Sequence, residues 1–460
     1  MKALLTLRLS LMATLLTVLA WSYPASAGPG SVDGTFIPPA PNGWVHDIAV
    51  QPDGKILVAG EFTTIGGVSR SRIARLFPDG TVDASFDPGV GPNNLIRSFA
   101  VQPDGQIVIV GEFSSVSGLP RNRYARLNTN GTHDATFAVT QPFLLTVTSP
   151  TGPRVMALPD GKSLVTGMQI YFTISPFISR AGMIRLNADG SCDTSFNLTA
   201  ASGTVISGAV AAGGKYLVCG SFTTTSPAGY TNLARLDTNG AVDATFTAPT
   251  RPETLSIVRT LPNGQLLTVG TGGGSNYVRR LLDTGAEAPG FTAPYFNANI
   301  FALCAMPDDR LCVGGDFDHV NTTHLSIKAA RINTDGSFDS TFDVGDGGSS
   351  TVISMAAQPD GKVLVGGAFI CFGGICPTNL VRLNGNPGGI IASGPAYGSG
   401  IFSLTVPTLA GKNYTLQYVT TLTATNWTPI LPATPGDGTV KSLYDLGATN
   451  GQRFYRVLEN

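Results

Sequence analysis

Gln51-Pro52-Asp53-Gly54-Lys55-Ile56-Leu57-Val58-Ala59-Gly60-Glu61-Phe62 returns as Gln102-Pro103-Asp104-Gly105-Gln106-Ile107-Val108-Ile109-Val110-Gly111-Glu112-Phe113. Related strings surround Gly161, Gly214, Gly264, Asp309 and Gly361, which sets a period of roughly fifty residues and seven copies. A second string follows the first, Ala74-Arg75-Leu76-Phe77-Pro78-Asp79-Gly80-Thr81-Val82-Asp83-Ala84-Ser85-Phe86, with counterparts ending at Phe137, Phe196, Phe246, Phe291 and Phe342. Between the Gly-containing turns the chain alternates or runs apolar over four to six positions rich in Val, Ile and Leu. That is the pattern of strands joined by hairpins, and no helical period is sustained. Each repeat is expected to hold about four short antiparallel strands, the size of one propeller blade.

The ends of the repeat region predict closure into a ring. The seventh copy has Val381-Arg382-Leu383-Asn384 but no following Asp-x-x-Phe string, whereas Gly30-Ser31-Val32-Asp33-Gly34-Thr35-Phe36 matches Gly80 to Phe86 position for position. An N-terminal strand that completes the last blade removes two open sheet edges together. The expected fold is all-β: a seven-bladed β-propeller over 28–386 closed by that strand. The two strings resemble the Delta-60 repeat family over roughly Ser31 to Asn386. That resemblance implies propellers on exported bacterial proteins and no shared enzymatic activity. Two repeats depart from the pattern, with Gly167-Met168-Gln169 and Gly270-Thr271-Gly272 where others carry Gly-x-Phe, as in Gly60-Glu61-Phe62.

Recurrent charges read as staples. An Arg recurs in all seven copies and an Asp in six, giving the pairs Arg75 with Asp83, Arg126 with Asp134, Arg185 with Asp193, Arg235 with Asp243, Arg331 with Asp339, and Arg382 with Asp33. The partners are equidistant from the hairpin turn and should face each other across it. The fifth copy has Arg280 but Ala288 in place of the acid. Phe62, Phe113, Phe222, Phe317 and Phe369 share one register and read as packing between blades.

Composition narrows the function. The chain has 29 Lys and Arg against 30 Asp and Glu, a net charge of −1, and lacks the basic footprint that nucleic acid requires. Lys2 and Arg8, the apolar run Leu9 to Trp21 and Ala25-Ser26-Ala27 read as a signal peptide over 1–27, cleaved near Ala27. The mature chain has no transmembrane segment by this reading and is secreted, periplasmic or held at the cell surface. Six cysteines are too few for a disulfide scaffold, but Cys371 with Cys376 and Cys304 with Cys312 are close enough in sequence to pair.

Chemistry-bearing clusters are sparse. Asp316, Asp318, His319 and His324 are the one local group with metal-like chemistry, although their spacing is not that of a helical pair. The strings Asn333 to Gly336 and Asp237 to Gly240 look like calcium loops but carry what a type I turn with a left-handed Gly requires. His46 and His133 stand isolated, no catalytic motif is present, and no cofactor is expected.

A Gly/Pro/Ser-rich linker is expected over 387–400, then a small β-sandwich-like domain over 401–460. That domain resembles short C-terminal β modules of exported bacterial proteins that end in Arg-Phe-Tyr-Arg-Val. The reading that follows is an exported non-enzymatic scaffold for an extracellular polymer, glycan or protein. The alternative is a secreted hydrolase or lyase with its site at the channel mouth. Specificity is expected in the segments that differ between repeats, Phe137 to Pro153 and Ile170 to Ala181.

Overall fold

The computed structural model describes residues 28–37, 39–137, 143–147, 152–172, 179–180, 182–196, 201–225, 228–248, 253–385, 393–398, 401–408, 413–420, 427–436, 440–447 and 453–459. The signal peptide expected over 1–27 lies outside these residues. Among them, no helix is long and apolar enough to cross a membrane.

Among the described residues the repeats fold as antiparallel meanders, seven in number. The first is Val45–Val50, Ile56–Gly60 and Ile73–Leu76; the second is Ile96–Val101, Ile107–Gly111 and Tyr124–Leu127. Middle strands such as Ile56–Gly60 and Ile107–Gly111 are buried at every residue, which explains their unbroken apolar runs. The Pro-Asp-Gly string, or a variant such as Pro262-Asn263-Gly264 or Pro307-Asp308-Asp309, closes the inner hairpins. Gln51 donates its amide to the Lys55 carbonyl at 2.8 Å, and Gly54 sits at φ 81°, where a side chain would be strained.

The fourth strand of each repeat is reduced to one bridge, such as Leu76 with Val82 or Leu127 with His133. The Asp that follows ends the strand. Asp83 Oδ1 accepts from the Ser85 amide at 2.9 Å and from the Ser85 hydroxyl at 2.6 Å, turning the chain so that Phe86 enters the core. Asp-x-Ser/Thr-Phe is therefore a turn motif rather than strand sequence.

No meander has a core of its own. Seven apolar clusters each lie between consecutive meanders; one, for example, joins Leu57, Ile73 and Phe86 to Ile96, Ile109 and Leu127. Another joins the first meander to the last, with Phe36, Val45 and Phe62 against Leu364 and Leu380. At this seam Val32 bridges to Leu383, and the Asp33 amide donates to the Arg382 carbonyl at 2.8 Å. The fold is an all-β propeller.

The C-terminal residues form two three-stranded sheets, one from Ser393–Gly398, Ile401–Pro407 and Val440–Asp445, the other from Asn413–Val419, Thr428–Pro435 and Phe454–Glu459. Leu404, Val406, Tyr414, Leu416 and Leu443 make their shared core. Ser393–Gly398, expected within the linker, is a strand. Its Gly, Pro and Ser content suits a linker, but pairing with Ile401–Pro407 uses backbone groups that any residue except proline supplies in full.

Candidate functional site

The recurrent arginines sit where the turns place them. Arg75 Nε donates to Asp83 Oδ2 at 2.7 Å, and the equivalent bonds of Arg126 to Asp134, Arg185 to Asp193 and Arg331 to Asp339 are each 2.8 Å. Arg235 meets Asp243 at 2.6 Å and Arg382 meets Asp33 at 2.7 Å. Most of these aspartates take a second cation: Lys55, Lys162, Lys215, Lys362 or Arg310. All seven guanidiniums, Arg280 included, lie 4.6 to 5.5 Å from the centroid of the repeat's final Phe ring. Several also reach the next repeat, Arg75 to the Thr129 carbonyl at 2.8 Å and Arg382 to that of Pro78 at 2.5 Å. This charge is consumed in holding the ring together. Arg280, facing Ala288, keeps a buried Nε with no partner among the described residues, and burial lowers its pKa.

The other sequence candidates separate. His319 Nδ1 lies 2.7 Å from Asp318, His324 stacks on Phe338 with ring centroids 4.7 Å apart, and Asp316 accepts from the Thr351 hydroxyl at 2.5 Å. They do not converge, and among the described residues no group of three His, Cys, Asp or Glu could hold a metal. Cys371 and Cys376 form a disulfide. Cys304 and Cys312 stay thiols. They are directly opposed on paired strands, where Cβ atoms stand about 4.5–5.5 Å apart, wider than the ~3.8 Å a disulfide favours. Burial and the neighbouring Cys304 thiol push the Cys312 pKa up.

A cluster that the sequence left scattered forms at one mouth of the channel. Inner strands carry a bulge at their start, between Val45 and Asp47 and between Ile96 and Ser98, which turns His46 and Arg97 out of the regular alternation. Pairing of Val45 with Gly60 and Ile96 with Gly111 then delivers Glu61 and Glu112 beside them. His46 Nε2 lies 2.9 Å from Glu61 Oε1, and Arg97 Nη2 donates to Glu112 Oε1 at 2.7 Å. His46 is 4% exposed, whereas Trp44, its ring 6.3 Å away, is 47% exposed. Burial lowers the His46 pKa, the Glu61 bond opposes this, and the Arg97 and Arg154 charges add to the lowering. In the sequence His46 stands isolated because its partner lies on another strand and its direction depends on the bulge.

The two divergent segments meet at the same end. Phe143–Val147 pairs with Met168–Phe172, which pairs with Ser179–Arg180, and Met168 follows Gly167, the counterpart of Gly60 and Gly111. Residues 138–142, 148–151, 173–178 and 181 of these segments lie outside the described ones.

Behind the mouth the inner strands surround two adjoining cavities of about 300 Å³ and about 260 Å³, which share Asp47, Arg154, Arg259 and Thr260. Asp47 is their one carboxylate among the described residues, and it accepts from the Ile48 and Phe99 amides, each at 3.0 Å.

Comparison with known families matches the repeats to "Domain of unknown function (DUF5122) beta-propeller" over residues 51–86, 102–137, 177–196, 214–246, 307–342 and 358–386. No curated protein matches the chain. Among solved structures, virginiamycin B lyase from Staphylococcus aureus is 11% identical with a TM-score of 0.42, over 74% of this chain and 94% of that one. A gluconolactonase from Xanthomonas campestris is 12% identical with a TM-score of 0.37, over 78% and 96%. YCF48 from Cyanidioschyzon merolae is 14% identical with a TM-score of 0.38, over 76% and 98%.

Proposed function

This chain belongs, through its repeats, to the DUF5122 beta-propeller family, and we propose that it is an exported, non-enzymatic binding scaffold. Its ring has seven blades, the last completed by the N-terminal strand, and a small sandwich-like β domain follows. The ligand is an extracellular polymer, glycan or protein taken at the mouth that carries Trp44, His46 with Glu61, and Arg97 with Glu112. The observation behind this reading is that both mouth glutamates are already bonded inside the ring while the neighbouring Trp44 ring is half exposed. Paired acids orient a ligand's polar groups, and an exposed aromatic face stacks against it.

The test is an array of glycans and cell-envelope polymers probed with the mature protein and with Trp44→Ala. Retention by wild type, loss of about tenfold or more in affinity in Trp44→Ala and an unchanged melting temperature are expected. Cleavage of a bound polymer would overturn the non-enzymatic reading. One observation favours an enzyme, a hydrolase or lyase: His46 Nε2 lies 2.9 Å from Glu61 Oε1, the imidazole–carboxylate pairing that general acid–base chemistry uses. Cleavage abolished by His46→Ala would establish that activity.

A further inference from the structure

We propose that the channel holds a small oxyanion, a carboxylate or a phosphate, between Arg154 and Arg259. Both guanidiniums line both cavities. Neither has the carboxylate partner that the recurrent arginines have. Arg154 has no side-chain hydrogen bond or ion pair among the described residues, and Arg259 has one, from Nη1 to its neighbour's carbonyl at Val258, at 2.9 Å. Each guanidinium offers five N–H donors in a planar fork matched to carboxylate or phosphate oxygens. Among the described residues the one acid lining the cavities, Asp47, spends its oxygens on backbone amides. Two positive charges therefore share the cavities with one negative charge, and their mutual repulsion adds to burial in lowering the Arg259 pKa.

The inner-strand registers make room for the anion. Arg259 stands where the other repeats place Ala49, Ala100, Met156, Ala209, Cys304 and Ala356, mostly too short to fill the axis. Arg154 shares its register with Asp47 and with Ser98, Ser207 and Ser354, and the three serine hydroxyls add donors around the same level. A space of about 300 Å³ is at the small end for a ligand pocket, which suits a compact anion. This site does not depend on the mouth reading, since a ring that bound no polymer would still carry two unpaired guanidiniums.

The experiment is calorimetry and thermal melting of the whole protein with inorganic phosphate, citrate and a short polyuronate, at ionic strength held constant with sodium chloride. Saturable binding of at least one probe is expected, with a rise in melting temperature that chloride does not reproduce. Arg154→Met should weaken it about tenfold or more, as expected when a charge-assisted fork is lost. Arg259→Lys, which keeps charge and length but not the fork, should weaken it in the same direction and guards against a variant that fails to fold. Phosphate or citrate binding identifies a free anion, and polyuronate binding alone identifies the acidic group of a larger ligand. Absence of saturable binding for all three, or equal binding by wild type and both variants, would overturn the site.

Discussion

Each recurrent aspartate lies under several donors at once, and this governs how the protein should respond to acid. For Asp33, burial alone would raise the pKa, but hydrogen bonds from Lys362 and Thr35 and the Arg382 charge outweigh it and hold the carboxyl well below its usual range. Asp83, Asp134, Asp193, Asp243 and Asp339 shift the same way with the same kinds of partner. A lowered folded-state pKa means that the unfolded chain binds more protons, so the stabilisation is complete above the unfolded value of about 4 and is lost as pH falls toward the folded one. Melting temperature should thus fall steeply below about pH 4, and Asp33→Asn should shallow that fall while lowering the plateau. The fifth repeat gives the converse case. Ala288→Asp would give the buried Arg280 Nε an acceptor and should stabilise by about 1–3 kcal/mol in a denaturant melt. The Arg–Asp spacing was legible because one hairpin fixes both residues. The second cation and the Phe ring under each guanidinium were not, because strand pairing and not the spacing brings them there.

Among the elements, the turns carried most of the signal and the strand ends the least. Pro-Asp-Gly marks its hairpin in the sequence because Gly54 must take a positive φ. The outer strand shrinks to a bridge because Asp83 caps a turn, which a pattern of alternating residues does not disclose. The seventh repeat adds a covalent element, the Cys371–Cys376 disulfide, around Phe372, which is fully buried 5.3 Å from the Phe369 ring. Closing so short a loop should contribute about 2 kcal/mol. Cys371→Ser with Cys376→Ser should therefore lower the denaturation midpoint modestly, leave the protein folded with an unchanged elution volume, and make its melt insensitive to reductant. A variant that lost the ring altogether would mean that the disulfide holds the seam and not only its own loop.

At the scale of the whole molecule, stability is a property of the interfaces. Because every apolar cluster of the ring is shared between two consecutive meanders, none can unfold without stripping a face from its neighbours. The seam is chemically the same as the other junctions but joins residues 349 apart in sequence, Asp33 and Arg382. Phe36 there occupies the place of Phe86 elsewhere, buried beneath its arginine at 4.7 Å where Phe86 has 5.0 Å. If the N-terminal strand closes the ring, Phe36→Ala should cost about as much as Phe86→Ala, roughly 3–5 kcal/mol in a denaturant melt. Removing residues 28–37 should do more, because it strips Leu380–Leu383 of its outer partner and leaves an unpaired sheet edge. Light scattering after chromatography should then show concentration-dependent association that Phe86→Ala lacks. If Phe36→Ala cost less than about 1 kcal/mol and the truncated chain stayed monomeric, the N-terminal strand would be an appendage and the ring would owe its stability to the remaining junctions alone.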